Sequence, residues 1–165
     1  MMCTRPFAPT DARDILTLYT HYVLHTHATF EIEPPTPEAF TERLCGIAGS
    51  HPFFVSHEDG ALTGYAYAAR HRERAAYRFD VDVSVYVRDG ARGRGVGTAL
   101  YVRLFDALND TEFVNAYAAI ALPNEASVAL HHRFGFTDIG VHHHTGLKLG
   151  RWHDVLWLEK SLKPV

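Results

Sequence analysis

Cysteine is scarce in this chain, and long apolar runs and excess positive charge are missing altogether. Only Cys3 and Cys45 occur among 165 residues, which excludes a disulfide scaffold and a cysteine-based zinc motif. No apolar run approaches the roughly 18 residues of a membrane-spanning helix, and the first residues lack the apolar core of a secretory signal. A net charge of −3 gives no general attraction to nucleic acid or anionic membranes. We therefore expect a cytoplasmic protein with neither a nucleic acid nor a membrane partner.

Histidine is abundant, with twelve residues, but its spacing does not predict a metal site. Residues 142–144 are all histidine, yet consecutive residues of a strand point to opposite faces and cannot chelate one ion together. His21 and His25 have the spacing of a helical ligand pair, but the adjacent glutamate and a third ligand are missing. We therefore predict surface histidines and no metal.

The hydrophobic pattern predicts one α/β domain spanning residues 1–165. A content of 47% hydrophobic and 21% charged residues is typical of a chain that fills a single core. Caps and apolar spacing predict the helices, and alternation between turn residues predicts the strands. The predicted strands are 3–8, 52–57, 62–70, 79–88, 113–121, 136–147 and 152–162, and the predicted helices are 11–25 (with Thr10 as N-cap), 38–48, 95–108 and 124–135.

The strand predicted at 79–88 has two chemically different faces. Phenylalanine and valine alternate along one face, which we expect to enter the core. The opposite face carries Asp80, Asp82, Ser84, Tyr86 and Arg88. This face is the one on which we expect functional groups.

A glycine-rich turn follows that strand and opens a helix. It has the sequence DGARGRGVGT (residues 89–98) and contains Arg92, Gly93, Arg94, Gly95 and Gly97. Glycines there leave backbone N–H groups bare, and a helix N-terminus with free amides binds anions. A Walker loop would need lysine at Val96, and a dinucleotide fingerprint would need glycine at Thr98. The turn therefore predicts another kind of phosphorylated ligand, with a turn that binds nothing as the alternative.

The last predicted helix carries His131 on an apolar face. Counted from Ser127, the residues Leu130, His131 and Phe134 follow at three, four and seven positions and share its helix face. A histidine in such a place is most often part of the core. The surrounding motif nevertheless resembles the signature of the GNAT acetyltransferases, many of which have tyrosine where this chain has His131. The turn at 92–97 resembles the pyrophosphate arm of the same superfamily. The residues that match the helix signature are Asn124, Ser127, Leu130, Gly135 and Phe136.

Five blocks of sequence together resemble the phosphinothricin and methionine sulfoximine N-acetyltransferases. They are residues 30–40, 76–87, 91–97, 122–136 and 150–155. The resemblance implies the GNAT fold, with a single mixed central sheet of about six or seven strands flanked by about four helices, and a homodimer. It also implies direct transfer of the acetyl group of acetyl-CoA to the α-amine of a small amino acid analogue, within a ternary complex and without a metal.

The same resemblance assigns residues to acetyl-CoA. Backbone groups of Val85, Tyr86 and Val87 would hold the pantetheine arm and polarise the thioester carbonyl. Asn124 and Ser127 would contact the cofactor at the next strand–helix junction. The pyrophosphate would be bound by Arg92 and by the amides of Gly93, Arg94, Gly95, Val96, Gly97 and Thr98.

Asp82 and His131 are implied to manage protons. An ammonium substrate must lose a proton before its amine attacks, and no nucleophilic residue is needed. The family has glutamate where this chain has Asp82, which is one methylene shorter. A bound water could span that gap, or Asp82 could act only as a polar group that orients the site.

The acceptor is expected to meet an arginine-rich segment before the functional strand. Arg72, Arg74 and Arg78 suit a carboxylate or a second anionic head, with a solvated charged turn as the alternative. Phe30 and Glu31 are predicted to form part of the pocket wall. Two other functions stay open: acetylation of another amine, such as a protein N-terminus or a polyamine, and CoA sensing without catalysis. The arginines favour an anionic acceptor over a polyamine.

Overall fold

The computed structural model describes residues 1–164 and confirms the predicted order of strands and helices. Most boundaries lie within two residues of the predicted ones. None of the helices in this range is long and apolar enough to cross a membrane. The elements are β1 (Met2–Pro6), α1 (Ala12–His25), α2 (Pro37–Ala48), β2 (Phe53–Glu58), β3 (Ala61–Arg70), β4 (Asp80–Val87), α3 (Val96–Asn109), β5 (Asn115–Ala121), α4 (Glu125–Arg133), β6 (Thr137–Lys148) and β7 (Arg151–Ser161).

All seven strands form one mixed sheet in the order β1-β2-β3-β4-β5-β7-β6. Neighbouring strands are antiparallel except for β4 and β5, which are parallel. Helix α3 makes the crossover that a parallel pair requires. The sheet therefore has the mixed architecture that the resemblance implied.

The sheet is covered by helices on both faces. Helices α1 and α2 cover one face, where Ile15, Leu44 and Tyr65 are buried. Helix α3 covers the other face, where Leu100 packs in the same cluster as Val81. Burying one such aliphatic side chain contributes about 1.5–3 kcal/mol, so these two layers hold β4 between them.

The start of α1 differs from the predicted one. Residues Pro9–Asp11 form a 3-10 turn, and the helix begins at Ala12, so Thr10 is not its N-cap. The carboxylate of Asp11 accepts a hydrogen bond from the Ala8 amide at 2.8 Å and two from the Arg5 guanidinium at 2.7 and 2.8 Å. Asp11, rather than Thr10, is therefore the residue whose side chain accepts a backbone N–H before the helix, and the ion pair with Arg5 holds its carboxylate in place.

The parallel strands β4 and β5 separate after a short paired stretch. Their pairing runs from Asp80 opposite Asn115 to Asp82 opposite Tyr117. Beyond Asp82, β4 stays paired with β3 while β5 stays paired with β7. A gap therefore opens between the carboxyl ends of the two strands, and Asp82 lies at its vertex.

Candidate active site

The gap between β4 and β5 continues into a cleft of about 760 Å³. Its walls are the separated ends of the two strands, the N-terminal ends of α3 and α4, and the C-terminal end of α1. Every residue predicted to contact acetyl-CoA lines this cleft except Arg94. The structure thus brings together Val85, Tyr86, Val87, Arg92, Gly93, Gly95, Val96, Gly97, Thr98, Asn124 and Ser127.

The glycine-rich turn presents backbone amides to the cleft. Gly93 and Gly95 have φ of +72° and +82°, in the left-handed region that other residues rarely adopt. Helix α3 begins directly afterwards, at Val96. A Cβ at Gly97 would lie 3.2 Å from the side chain of Leu130 on α4, so a side chain there would crowd the cleft wall. The turn is therefore shaped for an anion at a helix N-terminus.

Arg92 adds positive charge at the same end of the cleft. Its guanidinium lies 5.5 Å from the centre of the Tyr22 ring and donates a hydrogen bond to the Tyr22 hydroxyl at 3.3 Å. Another guanidinium nitrogen lies 3.2 Å from Asp89. The Tyr22 hydroxyl in turn donates to the carbonyl of Val87 at 2.6 Å. Tyr22, which the sequence analysis missed, thus links the turn, α1 and the end of β4.

Arg94 lies outside the cleft. Its guanidinium forms an ion pair with Glu58, at the end of β2, with an N–O distance of 2.5 Å. The opposite charge on β2 therefore holds the Arg94 side chain away from the position predicted for the pyrophosphate. The backbone of Arg94 remains in the turn between Gly93 and Gly95.

His131 forms part of the cleft wall but is itself buried, with 3% of its surface exposed. Its Nδ1 lies 2.7 Å from the carbonyl oxygen of Ser127, and its Nε2 lies 2.8 Å from the hydroxyl of Tyr101. A carbonyl can only accept, so Nδ1 carries the proton and Nε2 accepts from Tyr101. Burial lowers the pKa of His131, which opposes its protonation. Both ring nitrogens are thus engaged, and its role in proton transfer stays a prediction.

Asp82 is paired with a histidine that the sequence analysis missed. Oδ1 of Asp82 lies 2.6 Å from Nδ1 of His71, whose ring stacks on Tyr117 with centroids 4.4 Å apart. Burial raises the pKa of Asp82, and the hydrogen bond with His71 opposes that rise. The register of β3 on β4, with Ala69 opposite Asp82, places His71 on the face of Asp82. The sequence analysis did not predict this β3–β4 register, which is the signal that would have identified His71.

The three predicted acceptor-binding arginines lie in the segment between β3 and β4. Arg72, Arg74 and Arg78 are all exposed, and none of them lines the cleft. The guanidinium of Arg78 lies 4.3 Å from the centre of the Phe79 ring. Arg72 is near enough to Asp82 to favour its charged form. The segment therefore borders the Asp82 end of the site, and its binding role stays a prediction.

Phe30 and Glu31 belong to the loop between α1 and α2, which side-chain contacts fix in place. The Phe30 ring contacts Gly146 of β6 so closely that a Cβ there would collide with it. The Glu31 carboxylate accepts from both terminal nitrogens of Arg43, at 2.8 and 2.9 Å, and from the Tyr19 hydroxyl. Glu31 therefore acts in this structure as an anchor for the loop.

A buried lysine completes that anchorage. The Nζ of Lys148, on β6, donates to the carbonyl oxygen of Thr29 at 2.6 Å. On the same loop, the ring of His27 stacks on that of His153 with centroids 4.5 Å apart. The loop is thus held against β6 and β7 on the sheet face that carries Asp82.

The described residues contain no cluster of three or more potential metal ligands. The residues described above supply a row of amides with a guanidinium that suits an anion, unpaired strand edges beside them, and a carboxylate–histidine pair where β4 and β5 separate. This set suits binding of a phosphorylated thioester and removal of a proton from an amine.

Comparison with known proteins bears on this arrangement. Residues 5–157 match the family described as acetyltransferase (GNAT) domain. A phosphinothricin N-acetyltransferase of Streptomyces coelicolor is 42% identical over 162 residues, which cover 96% of this chain and 95% of that protein. An L-methionine sulfoximine/L-methionine sulfone acetyltransferase of Salmonella typhimurium is 34% identical over 157 residues, 92% of this chain and 90% of that protein.

A solved structure shows the same likeness in three dimensions. The phosphinothricin acetyltransferase of Sinorhizobium meliloti, crystallised in complex with acetyl-CoA, superposes with a TM-score of 0.93 at 36% sequence identity. The match covers 97% of this chain and 88% of that chain. The predicted resemblance and the predicted fold are thereby confirmed.

Proposed function

The chain belongs to the GNAT acetyltransferase family, and we propose that it transfers the acetyl group of acetyl-CoA to the α-amine of a small amino acid analogue. Phosphinothricin and methionine sulfoximine appear in the names of its relatives and are examples of such amino acid analogues. The observation that supports the proposal is the cleft at the β4–β5 separation, which is lined by the glycine turn and Asn124 and begins next to Asp82, the last residue of β4 that pairs with β5. Acetylation of such an analogue would detoxify it by removing the charge of its amine.

The residues of the cleft fit acetyl-CoA. Amides at the start of α3, with Arg92, suit the pyrophosphate, and a helix N-terminus favours its charge. The edge of β4 from Val85 to Val87, unpaired toward β5, suits the amide groups of the pantetheine arm. When bound, acetyl-CoA supplies an activated acetyl group. Backbone N–H groups of β4 would then stabilise the negative charge that develops on the carbonyl oxygen of the acetyl group.

Asp82 is the proposed base. It takes a proton from the acceptor ammonium, directly or through one water, and leaves an amine whose lone pair forms the new N–C bond. The C–S bond breaks and the CoA sulfur leaves as a thiolate, which takes up the second proton that the nitrogen loses as it becomes a neutral amide. Because Asp82 lies where the two strands separate, the deprotonated amine is generated at the closed end of the gap between β4 and β5.

His131 is proposed mainly to support the cleft wall, because its hydrogen-bonded neighbour Tyr101 is fully buried, does not line the cleft and offers no route for a proton to a ligand there. Its two ring nitrogens are already bonded within the protein, and Asn124 accepts from the amide of Ser127 at 3.2 Å to cap the same helix. These bonds keep the start of α4 in position beside the cofactor. Between the two predicted proton carriers, the geometry favours Asp82.

We further propose that Arg72, Arg74 and Arg78 bind the anionic part of the acceptor. Arg72 is near enough to Asp82 to favour its charged form, and all three arginines are solvent-exposed, so a ligand can reach them. Phe30 and the Glu31-anchored loop would then form the opposite wall.

We also propose that the chain forms one catalytic domain and acts in the cytoplasm as a homodimer. Both cysteines are unpaired, as expected in a reducing compartment. Large apolar side chains are exposed on β6, β7 and the turn between them, among them Ile139, Leu147, Leu149 and Trp152. Light scattering after gel filtration at micromolar concentration should give twice the monomer mass. A monomer would contradict the dimer.

The experiment that tests the function is an acceptor panel assayed by release of free CoA thiol. It includes phosphinothricin, methionine sulfoximine, the common amino acids, spermidine and a peptide with a free N-terminus. We expect the two analogues to be acetylated with the highest kcat/KM. A preference for spermidine or for the peptide would contradict the proposed acceptor and support acetylation of another amine. CoA binding without turnover of any amine would support a CoA sensor without catalysis.

A further inference from the structure

The pairing of Asp82 with His71 is specific in its geometry and is not explained by packing alone. The Nδ1–Oδ1 distance of 2.6 Å is short for a hydrogen bond between a ring nitrogen and a carboxylate. The side chain of His71 is 11% exposed, whereas that of Asp82 is 38% exposed. One member of the pair is therefore enclosed while the other remains open to a ligand.

The His71 ring is held by aromatic neighbours from three elements. It stacks on Tyr117 of β5, and it meets Tyr77 and Trp157 edge-on, with centroids 6.0 and 6.5 Å away. A ring packed in this way has little freedom to rotate, so its Nδ1 stays directed at Asp82. Within the part of the chain that the structure describes, Oδ2 of Asp82 accepts no hydrogen bond. That oxygen is the one available to an amine or a water.

We propose that His71 is the positioning residue for the base, fixing the Asp82 carboxylate through Oδ1 and leaving Oδ2 to accept the proton. This inference rests on the proposed function. The Nδ1–H group of His71 donates a hydrogen bond to Oδ1, and the acceptor ammonium gives a proton to Oδ2 as its nitrogen becomes nucleophilic. The proton count balances, since Asp82 becomes a carboxylic acid and the ammonium becomes an amine. A side chain as short as aspartate gains from such fixing, because its position alone decides how far it reaches.

The hydrogen bond from His71 also sets the pH range in which Asp82 is charged. Burial alone makes the carboxylate harder to form, and a donor on Oδ1 stabilises it. Replacing the donor by an apolar ring leaves burial opposed only by the charge of Arg72 and raises the pKa of Asp82. The other charged or titratable groups around the pair are Arg72, Asp80, Tyr67, Tyr77, Tyr117 and Glu159.

Two substitutions at His71 separate the donor from the ring. His71→Phe keeps an aromatic ring against Tyr117 but removes the donor, and His71→Asn places an amide donor near the position of Nδ1 without the ring. We expect His71→Phe to lower kcat/KM for the acceptor about tenfold and to move its acid limb upward by about one pH unit. Compared with His71→Phe, His71→Asn should recover most of the kcat/KM and most of the shift in the acid limb. The KM for acetyl-CoA should not change in either variant.

A titration of the protein itself provides a readout that does not depend on turnover. Carbon-13 labelling of aspartate allows the Asp82 carboxyl to be titrated by NMR in the wild type, His71→Phe and His71→Asn. The resonance is assigned by its loss in Asp82→Asn. An upward shift in His71→Phe that His71→Asn reverses is expected. An unshifted Asp82 titration in His71→Phe overturns the inference, even if either variant is less stable.

Comparison with the double variant completes the test. His71→Phe should add no further loss of kcat/KM to Asp82→Asn, because both changes remove the same function. Additive losses would overturn the inference. If the wild type acetylates no amine on the panel, the proposed function fails, while the NMR titration still decides whether His71 controls the carboxylate.

Discussion

The two halves of the proposed active site are built in different ways. The cofactor half consists mainly of backbone groups from short continuous stretches, the end of β4 and the turn that follows it, joined by the start of α4. The acceptor half consists of side chains brought together from distant segments, such as His71 with Asp82 and Phe30 with Gly146. The cofactor half can therefore be recognised as a sequence motif, whereas the acceptor half depends on contacts between residues that are distant in the sequence. A cleft built from backbone also depends less on the identity of individual side chains.

The sharpest way to break the cofactor half is to place charge in the glycine turn. Gly95→Asp puts a carboxylate where amides face an anion and imposes a side chain at a φ of +82°. We expect at least roughly 100-fold weaker acetyl-CoA binding, equivalent to losing about two charge-assisted hydrogen bonds. Calorimetric titration with acetyl-CoA measures the effect.

Two control variants make that result interpretable. Gly90→Asp adds the same charge to open space in the same segment but outside the cleft, and should leave affinity almost unchanged. Gly95→Ala separates backbone strain from charge. Circular dichroism reports the fold of each variant. Undiminished affinity in a folded Gly95→Asp protein would remove the pyrophosphate assignment.

The acceptor half is tested by removing its proposed base. Asp82→Asn should lower kcat by about 10²–10⁴-fold, the usual cost of losing a positioned base, while acetyl-CoA affinity is preserved. Asp80→Asn is the matched control because it changes the same group on the same strand face, where Asp80 accepts from Asn115 at 3.0 Å. Steady-state kinetics with saturating acetyl-CoA supply the measurement. Equal losses in both variants would mean that the carboxylates act only through structure.

A smaller effect is expected in the arginine-rich segment. Arg72→Gln should raise the KM for the acceptor about tenfold and leave the KM for acetyl-CoA unchanged, because one charge-assisted hydrogen bond is lost. Arg70→Gln is the control, since Arg70 lies nearby but pairs with the exposed Glu73. An acceptor KM that responds equally to both changes, or to neither, would favour the solvated turn.

The smallest expected effect is on the stability of the fold. It concerns His131, which is part of the cleft wall. Burial lowers the pKa of His131 in the folded state, so below about pH 6.5 the unfolded chain binds the proton first. The contribution of His131 to the free energy of unfolding is thus present above that pH and lost as the pH falls toward the folded pKa. The slope for one histidine cannot exceed about 1.4 kcal/mol per pH unit.

Urea unfolding between pH 7.5 and 5.5 checks this dependence. His131→Gln should flatten the slope, whereas His21→Gln, on the exposed side of α1, should not. Some slope should remain in His131→Gln, because burial lowers the pKa of His51 in the same direction. A wild-type slope that survives His131→Gln intact would show that burial does not lower the pKa of His131 in the folded protein.

The same division explains how far the sequence could be interpreted. Alternation in 79–88 and helix caps, which the structure shows at Thr36 and Asn124, act over a few residues, so β4, α2 and α4 were predicted close to their observed bounds. Thr10 shows the limit of local reasoning. It is a good capping residue by type, but the ion pair between Arg5 and Asp11 fixes the turn differently. A pairing between side chains outweighed a propensity.

The sequence by itself determined the order of elements, the glycine turn and the family, because each of these is written in neighbouring residues. Only the tertiary structure decided that Arg94 pairs with Glu58, that both nitrogens of His131 are occupied, and that His71 faces Asp82. Each of these facts depends on strand register or on contact between separate elements. Hydrogen bonds and ion pairs act over a few ångströms, so their partners are chosen by the folded chain and not by distance along the sequence.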